Sequence, residues 1–281
     1  MSAPDPLSDA LYRDGLVGLK GALPPEWADR MLADFEVLYA EAEQQDLSSG
    51  RSGRRGRVAR GPGDEPRRYY FAVHPERLSG FLDLVTHPVL DALCRNVLGD
   101  DYQFVEVGFD VALPGAVTQP LHRDFPIPDE TKATGRLSSL AINATCVDVT
   151  PEMGPLEIVP GSHVDDDREF DQGMRVPPAM YERYLDRVEP RMARRGDVSV
   201  RTGLTIHRGT RNTSAHQRPV MILGVMGGDY ETFAAHDFAM TREYHDRLPD
   251  GLKAHLRRCT VSDGLDPVVQ DYVLDFLLEE G

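Results

Sequence analysis

Five short apolar runs in the middle of this chain constrain its fold more than any other feature of the sequence. Each run is strand-like, and glycine or proline stands at many of the breaks between them, as at Pro114-Gly115 and Gly154-Pro155. Many short strands separated by such turns are typical of a β-sandwich or a β-barrel. The runs cover residues 102–113, 138–149, 156–159, 197–202 and 219–225.

Helical patterns flank these strands on both sides. Pro25 and Glu26 suit a helix start, and apolar residues follow at helical spacing to about residue 43. A second helix is predicted over residues 88–98, and an amphipathic helical segment over residues 230–281. Two further strands are predicted at 15–19 and 69–73. We therefore expect one domain over residues 1–281, mainly β, with helices packed around a β core.

The net charge excludes some classes of partner. Thirty-one basic residues against 46 acidic ones give a formal charge of −15, which disfavours binding to nucleic acid and to anionic membranes. No apolar run approaches the roughly 18 residues of a membrane span, and the first five residues lack the features of a signal peptide. Cys94, Cys146 and Cys259 form neither a disulfide framework nor a zinc spacing. We expect a cytoplasmic protein; the sequence leaves its oligomeric state open.

Residues 48–68 differ from the rest of the chain in charge. Seven arginines and five glycines stand there against two acids, so the local charge is +5. Glycine and arginine without apolar periodicity predict a mobile loop. This loop is either merely solvated or a lid that docks an anionic ligand.

Three tripeptides in the chain have the pattern histidine, any residue, carboxylate. They are His74-Pro75-Glu76, His122-Arg123-Asp124 and His163-Val164-Asp165. In an extended chain, residues i and i+2 point to the same face, so each pair could bind one metal ion. With a second histidine they would form the facial triad of non-haem Fe(II) oxygenases. Because the pattern occurs three times, it is not specific alone; only the tripeptide at 122–124 follows a long strand.

A histidine and an arginine in the distal part of the chain strengthen this interpretation. His207 follows the strand at 197–202, and Arg218 stands eleven residues later at the start of an apolar strand. A buried guanidinium needs a partner, and its planar fork matches a carboxylate. That partner is either an acid of this chain or an anionic ligand.

In these residues the chain resembles the phytanoyl-CoA dioxygenase family of Fe(II)/2-oxoglutarate oxygenases. The resemblance covers about residues 10–226, and its most specific parts are the segment 153–163 and the interval from His207 to Arg218. The other matching pieces are Tyr12-Arg13-Asp14-Gly15, the helix that Pro24-Pro25-Glu26 starts, Gln119 with His122-Arg123-Asp124, Gly196-Asp197-Val198, Asn212 and Ser214.

The resemblance implies a fold and a metal site. The fold would be a double-stranded β-helix, that is, a jelly-roll or cupin-like core. His122, Asp124 and His207 would bind Fe(II), Arg218 would hold the far carboxylate of 2-oxoglutarate, and O₂ would be the second cosubstrate. His163 would belong to a structural turn.

Two departures from the family pattern concern the cosubstrate. Gly209 lacks a hydroxyl that family members sometimes use, for which Thr205 or Thr210 could substitute. Asn143 stands where a tryptophan is common, and strand alternation predicts that Asn143 and Thr145 face inward toward the cosubstrate. The candidate substrate-pocket residues are Gln119, Phe109, Phe125, Arg123 and Arg201.

The function that this resemblance implies is oxidation of an unactivated C–H bond in a small molecule, with release of succinate and CO₂. Hydroxylation is the default outcome, and desaturation or ring closure would need only a different substrate pose. The arginines at 48–68 favour an anionic substrate, such as an amino acid or an intermediate of secondary metabolism. Two alternatives are a non-catalytic ligand-binding member of the family and a cupin-like metal hydrolase or isomerase.

Overall fold

Most strands of the protein lie in one large antiparallel sheet. The computed structural model describes residues 5–49, 57–60, 66–228 and 238–265. The order of strands in the large sheet is β1-β8-β5-β10-β4-β3-β2. These strands are β1 (Leu16–Leu19), β2 (Arg57–Arg60), β3 (Pro66–Ala72), β4 (Gln103–Ala112), β5 (Ser139–Thr145), β8 (Val198–Arg201) and β10 (Arg218–Met226).

A smaller antiparallel sheet covers one face of the large one. It contains β6 (Leu156–Ile158), β7 (Glu189–Arg191) and β9 (His207–Gly209), in the order β7-β6-β9. Side chains from both sheets line a common cavity. Two facing antiparallel sheets with helices outside them form the jelly-roll core that the resemblance predicts.

Helices pack on the other face of the large sheet. Helix α2 begins at Pro25, where a proline costs no hydrogen bond, and turns Trp27, Met31 and Phe35 inward. All three side chains are fully buried, and the ring of Phe35 lies 5.2 Å from that of Phe109 in β4. The helices are α1 (Pro6–Asp14), α2 (Pro25–Ser49), α3 (Phe81–Val85), α4 (Pro88–Leu98), α5 (Asp129–Thr134), α6 (Glu182–Leu185), α7 (Arg242–Arg247) and α8 (Asp250–Lys253).

The five predicted runs and the helix over 88–98 are confirmed, with strand ends shifted by up to four residues. The interpretation of 48–68 as a loop is wrong where β2 and the start of β3 lie, because these residues pair in the sheet. Among the described residues, β2 is the last strand in the order of this sheet. Residues 50–56 and 61–65 lie outside the described part of the chain.

Within residues 238–265, the segment predicted to be helical after residue 230 is only partly helical. Besides α7 and α8 it contains β11 (Ala239–Thr241) and β12 (Thr260–Ser262), which pair in parallel. The extended backbone at β11 is fixed by Glu76, whose Oε2 accepts hydrogen bonds from the backbone N (2.6 Å) and Oγ1 (2.8 Å) of Thr241. Residues 229–237 and 266–281 lie outside the described residues. Among the helices described, none has the length and apolar character to cross a membrane.

Candidate functional site

A cavity of about 250 Å³ lies between the two sheets. Strand alternation makes its floor polar: Asn143 and Thr145 of β5 point into it, whereas Ile142 and Ala144 point toward the helices. The small sheet and the segment 119–125 supply the opposite wall. Of the residues predicted for the site, the cavity is lined by Gln119, His122, Asp124, Phe125, Asn143, Thr145, Arg201, His207 and Arg218.

His122, Asp124 and His207 come together in the wall of this cavity, with candidate ligand atoms all within 4.8 Å of one another. The backbones of His122 and His207 exchange two hydrogen bonds, of 3.0 and 2.9 Å, so their side chains lie on one face. The backbone N of Asp124 donates to the carbonyl O of Gly203 at 2.9 Å, which places its carboxylate beside the two imidazoles.

Backbone carbonyls fix the orientation of both imidazole rings. The Nδ1 atom of His122 lies 2.9 Å from the carbonyl O of Pro120, and that of His207 lies 2.9 Å from the carbonyl O of Thr205. Each Nδ1 therefore carries the proton, and each Nε2 offers its lone pair to the cluster. Burial lowers the pKa of both histidines, that of His207 strongly, so both rings are neutral at pH 7.

The carboxylate of Asp124 is ionised. Burial alone would raise its pKa, but the Arg201 guanidinium beside it holds the pKa at about 2. The Nη1 of Arg201 donates to Oδ2 of Asp124 at 2.6 Å, while Oδ1 lies 3.4 Å from Nε2 of His207. Two neutral imidazoles and one carboxylate are the donor set that non-haem Fe(II) sites use, so these residues fit that metal.

The other two tripeptides serve the fold. The Nδ1 of His74 lies 2.9 Å from the carbonyl O of Ala239, and Glu76 holds β11 as described above. The Nε2 of His163 lies 3.1 Å from the carbonyl O of Tyr12, and Asp165 faces Arg187. In the described ranges, the cluster at His122 is the group arranged for a metal ion.

Arg218 lines the same cavity and is only 4% exposed. Burial lowers its pKa to about 10, opposed by Asp110, so it is charged at pH 7. Its Nη2 lies 4.0 Å from Oδ2 of Asp110, and its Nε has no hydrogen-bond partner among the described residues. Asp110 is also paired with Arg68, whose Nη1 donates to Oδ2 at 2.7 Å. Two cations thus share one carboxylate, which leaves net positive charge for an anionic ligand.

Arg68 is a site residue that the sequence reasoning did not identify, although it ends the arginine-rich stretch. A Cβ at Gly209 would overlap the Nη2 of Arg68, so the glycine makes room for this guanidinium. The two threonines considered as substitutes for the missing hydroxyl lie elsewhere. Thr205 donates to the carbonyl O of Gly15 and Thr210 to that of Pro155, and neither lines the cavity.

Among the predicted substrate-pocket residues, the placement of Phe109 and Arg123 is wrong. Phe109 is fully buried on the helix-facing side of β4, because its neighbour Asp110 takes the cavity side. Arg123 points away from the metal ligands on either side of it, and its Nη2 donates to the carbonyl O of Ser162 and of Asp165. Gln119 lines the cavity, and its Oε1 accepts a hydrogen bond from the backbone N of Gly209 at 2.8 Å.

The profile of the phytanoyl-CoA dioxygenase family (PhyH) matches residues 11–220. Dioxygenase trt7 of Aspergillus terreus is 23% identical over 241 residues, which cover 83% of this chain and 77% of that protein. The Fe(II)/2-oxoglutarate-dependent dioxygenase nvfF of Aspergillus novofumigatus is 29% identical over 177 residues, 58% of this chain and 55% of that protein.

Solved structures show the same fold. The epimerase SnoN in complex with Fe³⁺, α-ketoglutarate (2-oxoglutarate) and nogalamycin RO superposes with a TM-score of 0.58 at 21% identity. The match covers 96% of this chain and 95% of SnoN.

Proposed function

Because the chain belongs to the phytanoyl-CoA dioxygenase family of Fe(II)/2-oxoglutarate-dependent oxygenases, we propose that it hydroxylates an unactivated C–H bond of a small molecule from secondary metabolism. Each turnover would consume O₂ and 2-oxoglutarate and release succinate and CO₂. The cavity of about 250 Å³ lies just below the roughly 300–1,000 Å³ typical of small-molecule sites, which supports a small-molecule ligand. SnoN, which shares the fold, was solved with a nogalamycin compound.

One observation carries the proposal: an oriented His-Asp-His cluster lines the same cavity as a buried arginine whose Nε has no hydrogen-bond partner in the part of the chain that the structure describes. His122, Asp124 and His207 would hold the iron, with Nε2 lone pairs and a carboxylate that need no deprotonation at pH 7. Bound iron and 2-oxoglutarate would supply the oxidising power that the side chains of this chain lack.

The protein's own contribution is to bind, orient and exclude water. Arg218 and Arg68 would hold the far carboxylate of 2-oxoglutarate, and Asn143 and Thr145 offer further hydrogen-bonding groups on the cavity floor. The Oδ1 of Asn143 lacks a hydrogen-bond partner in the described structure, so it is available to a ligand. Gln119 and Phe125 would border the substrate, whose anionic character stays a prediction from the sequence.

A metal hydrolase or isomerase that does not use 2-oxoglutarate would not need a buried cation in the cavity of the metal cluster, so Arg218 disfavours that alternative. A non-catalytic member of the family is disfavoured by the complete ligand set. Epimerisation is the competing outcome on this fold, since SnoN is an epimerase. Product analysis separates it from hydroxylation, because only hydroxylation adds an oxygen atom from O₂.

Succinate release tests the proposal. The protein is incubated with Fe(II), 2-oxoglutarate, O₂ and a panel of secondary metabolites, and products are analysed by mass spectrometry with ¹⁸O₂. We expect substrate-stimulated succinate release and one ¹⁸O atom in the product. His122→Ala should reduce release to background, whereas His216→Ala, which removes an exposed imidazole away from the cavity, should retain it. Succinate release that no metabolite stimulates would contradict the proposed hydroxylation.

A further inference from the structure

The carboxylate of Asp124 has two different environments at its two oxygens. Its Oδ2 accepts a hydrogen bond from Nη1 of Arg201 at 2.6 Å. A Cβ atom at position 203, which is glycine, would lie only 3.3 Å from the same oxygen. Its Oδ1 faces Nε2 of His207 at 3.4 Å. One oxygen is therefore engaged by the protein and the other faces the metal cluster.

The fold holds Arg201 rigidly in this position. It is the last residue of β8, and its backbone lies between Leu16 of β1 and Ala141 of β5 in the sheet. Its side chain is only 9% exposed, against 34% for that of Asp124. The short connection from Arg201 to His207 also contains Gly203, so a single segment of chain positions two of the three candidate metal ligands.

Arg201 also changes the charge of the site. The guanidinium of Arg201 lies 2.6 Å from the one carboxylate among the three candidate ligands, so its positive charge compensates the charge of that ligand. A divalent cation bound there would retain its full positive charge for a dianionic cosubstrate. Without Arg201, the carboxylate could rotate and offer both oxygens to the cation.

We propose that Arg201 is a positioning residue, which holds Asp124 as a one-oxygen ligand and neutralises the charge of the ligand set. This inference rests on the proposed function, because it assigns Asp124 to the metal. It changes the expected role of Arg201 from that of a substrate contact to that of a residue acting through Asp124.

Anaerobic titration with Co²⁺, followed by its visible absorption spectrum, tests this role without turnover. Arg201→Met should change the spectrum of bound Co²⁺, because the released carboxylate can offer its second oxygen, and should tighten Co²⁺ binding by about 10-fold, because a positive charge beside the site is removed. Arg208→Met is the matched control. It removes another largely buried ion pair, Nε to Oε2 of Glu157 at 2.7 Å, in the strand that carries His207, but does not touch Asp124. This control should bind Co²⁺ like the wild type.

An unchanged Co²⁺ spectrum, or Co²⁺ binding that is not tighter, in Arg201→Met would overturn the inference. If that variant does not fold, Arg201→Lys replaces it: the charge remains but the guanidinium geometry is lost, so a changed spectrum with little change in affinity is expected, and an unchanged spectrum would again overturn the inference. The test is separable from that of the proposed function. A wild type that binds Co²⁺ but neither binds 2-oxoglutarate nor releases succinate would refute the oxygenase proposal and leave the role of Arg201 intact.

Discussion

The two faces of the large sheet carry opposite chemistry although they are built from adjacent residues. On the helix side, Phe109 packs against the ring of Phe35 at 5.2 Å and is fully buried in the apolar core. On the cavity side, its neighbour Asp110 lies between Arg68 and Arg218. Both faces are buried, so burial alone does not separate structural residues from functional ones. The cavity side differs from the helix side in having polar groups without a hydrogen-bond partner among the described residues, such as the Nε of Arg218.

The largest expected effect is a loss of stability caused by a substitution on the helix side of the large sheet. Phe109→Ala should lower the free energy of unfolding by about 3–5 kcal/mol, because it removes a fully buried aromatic ring from a packed core. Asn143→Ala on the cavity face should change it by less than about 1 kcal/mol, since its Oδ1 has no partner within the described residues. Urea unfolding measures both. Equal losses of unfolding free energy in the two variants would contradict this difference between the two faces of the sheet.

For Arg218, on the cavity face, the expected effect is on ligand affinity and not on stability. Arg218→Met should raise the dissociation constant of 2-oxoglutarate about 10- to 100-fold, because a charged hydrogen bond contributes about 1.5–3 kcal/mol. Stability should change little, since Asp110 keeps its 2.7 Å pair with Arg68. Calorimetric titration of the Mn²⁺-loaded protein measures the affinity. An unchanged affinity with a loss of stability would make Arg218 an internal ion-pair residue only.

The smallest predicted effect is a pH dependence that comes from the buried histidines. Their folded pKa values lie below the unfolded value of 6.5, so as pH falls below 6.5 the unfolded chain binds protons that the folded protein excludes. Stability of the metal-free protein should therefore fall by at most about 1.4 kcal/mol per histidine per pH unit. His122→Gln should lose less stability than the wild type between pH 7 and 5.5. An equal loss would contradict the buried, neutral state of His122.

The sequence was sufficient to predict the fold and the residues that carry a chemical signature. The strand at 139–145 follows from its length and turns, and its alternation placed Asn143 and Thr145 correctly in the cavity. The candidate metal cluster was predicted through the family resemblance, because the tripeptide pattern occurs three times in the chain and the resemblance selected the one at 122–124 together with His207.

Other features depend on contacts between distant segments and have no local signal. Phe109 was an unranked pocket candidate, and its side chain lies on the opposite face of β4, where it packs against Phe35 of α2. Arg68 was hidden among seven arginines, and its role depends on pairing between β3 and β4. The space that it occupies beside Gly209 is visible only in three dimensions.

The central claim is that the polar face of the sheet and the wall opposite hold Fe(II) and 2-oxoglutarate together. It is tested most directly by adding 2-oxoglutarate to the anaerobic Fe(II)-loaded protein and recording the visible spectrum. The account predicts a weak charge-transfer band in the wild type and in His216→Ala, and no band in His122→Ala. A wild-type protein that shows no band at saturating Fe(II) and 2-oxoglutarate would contradict it.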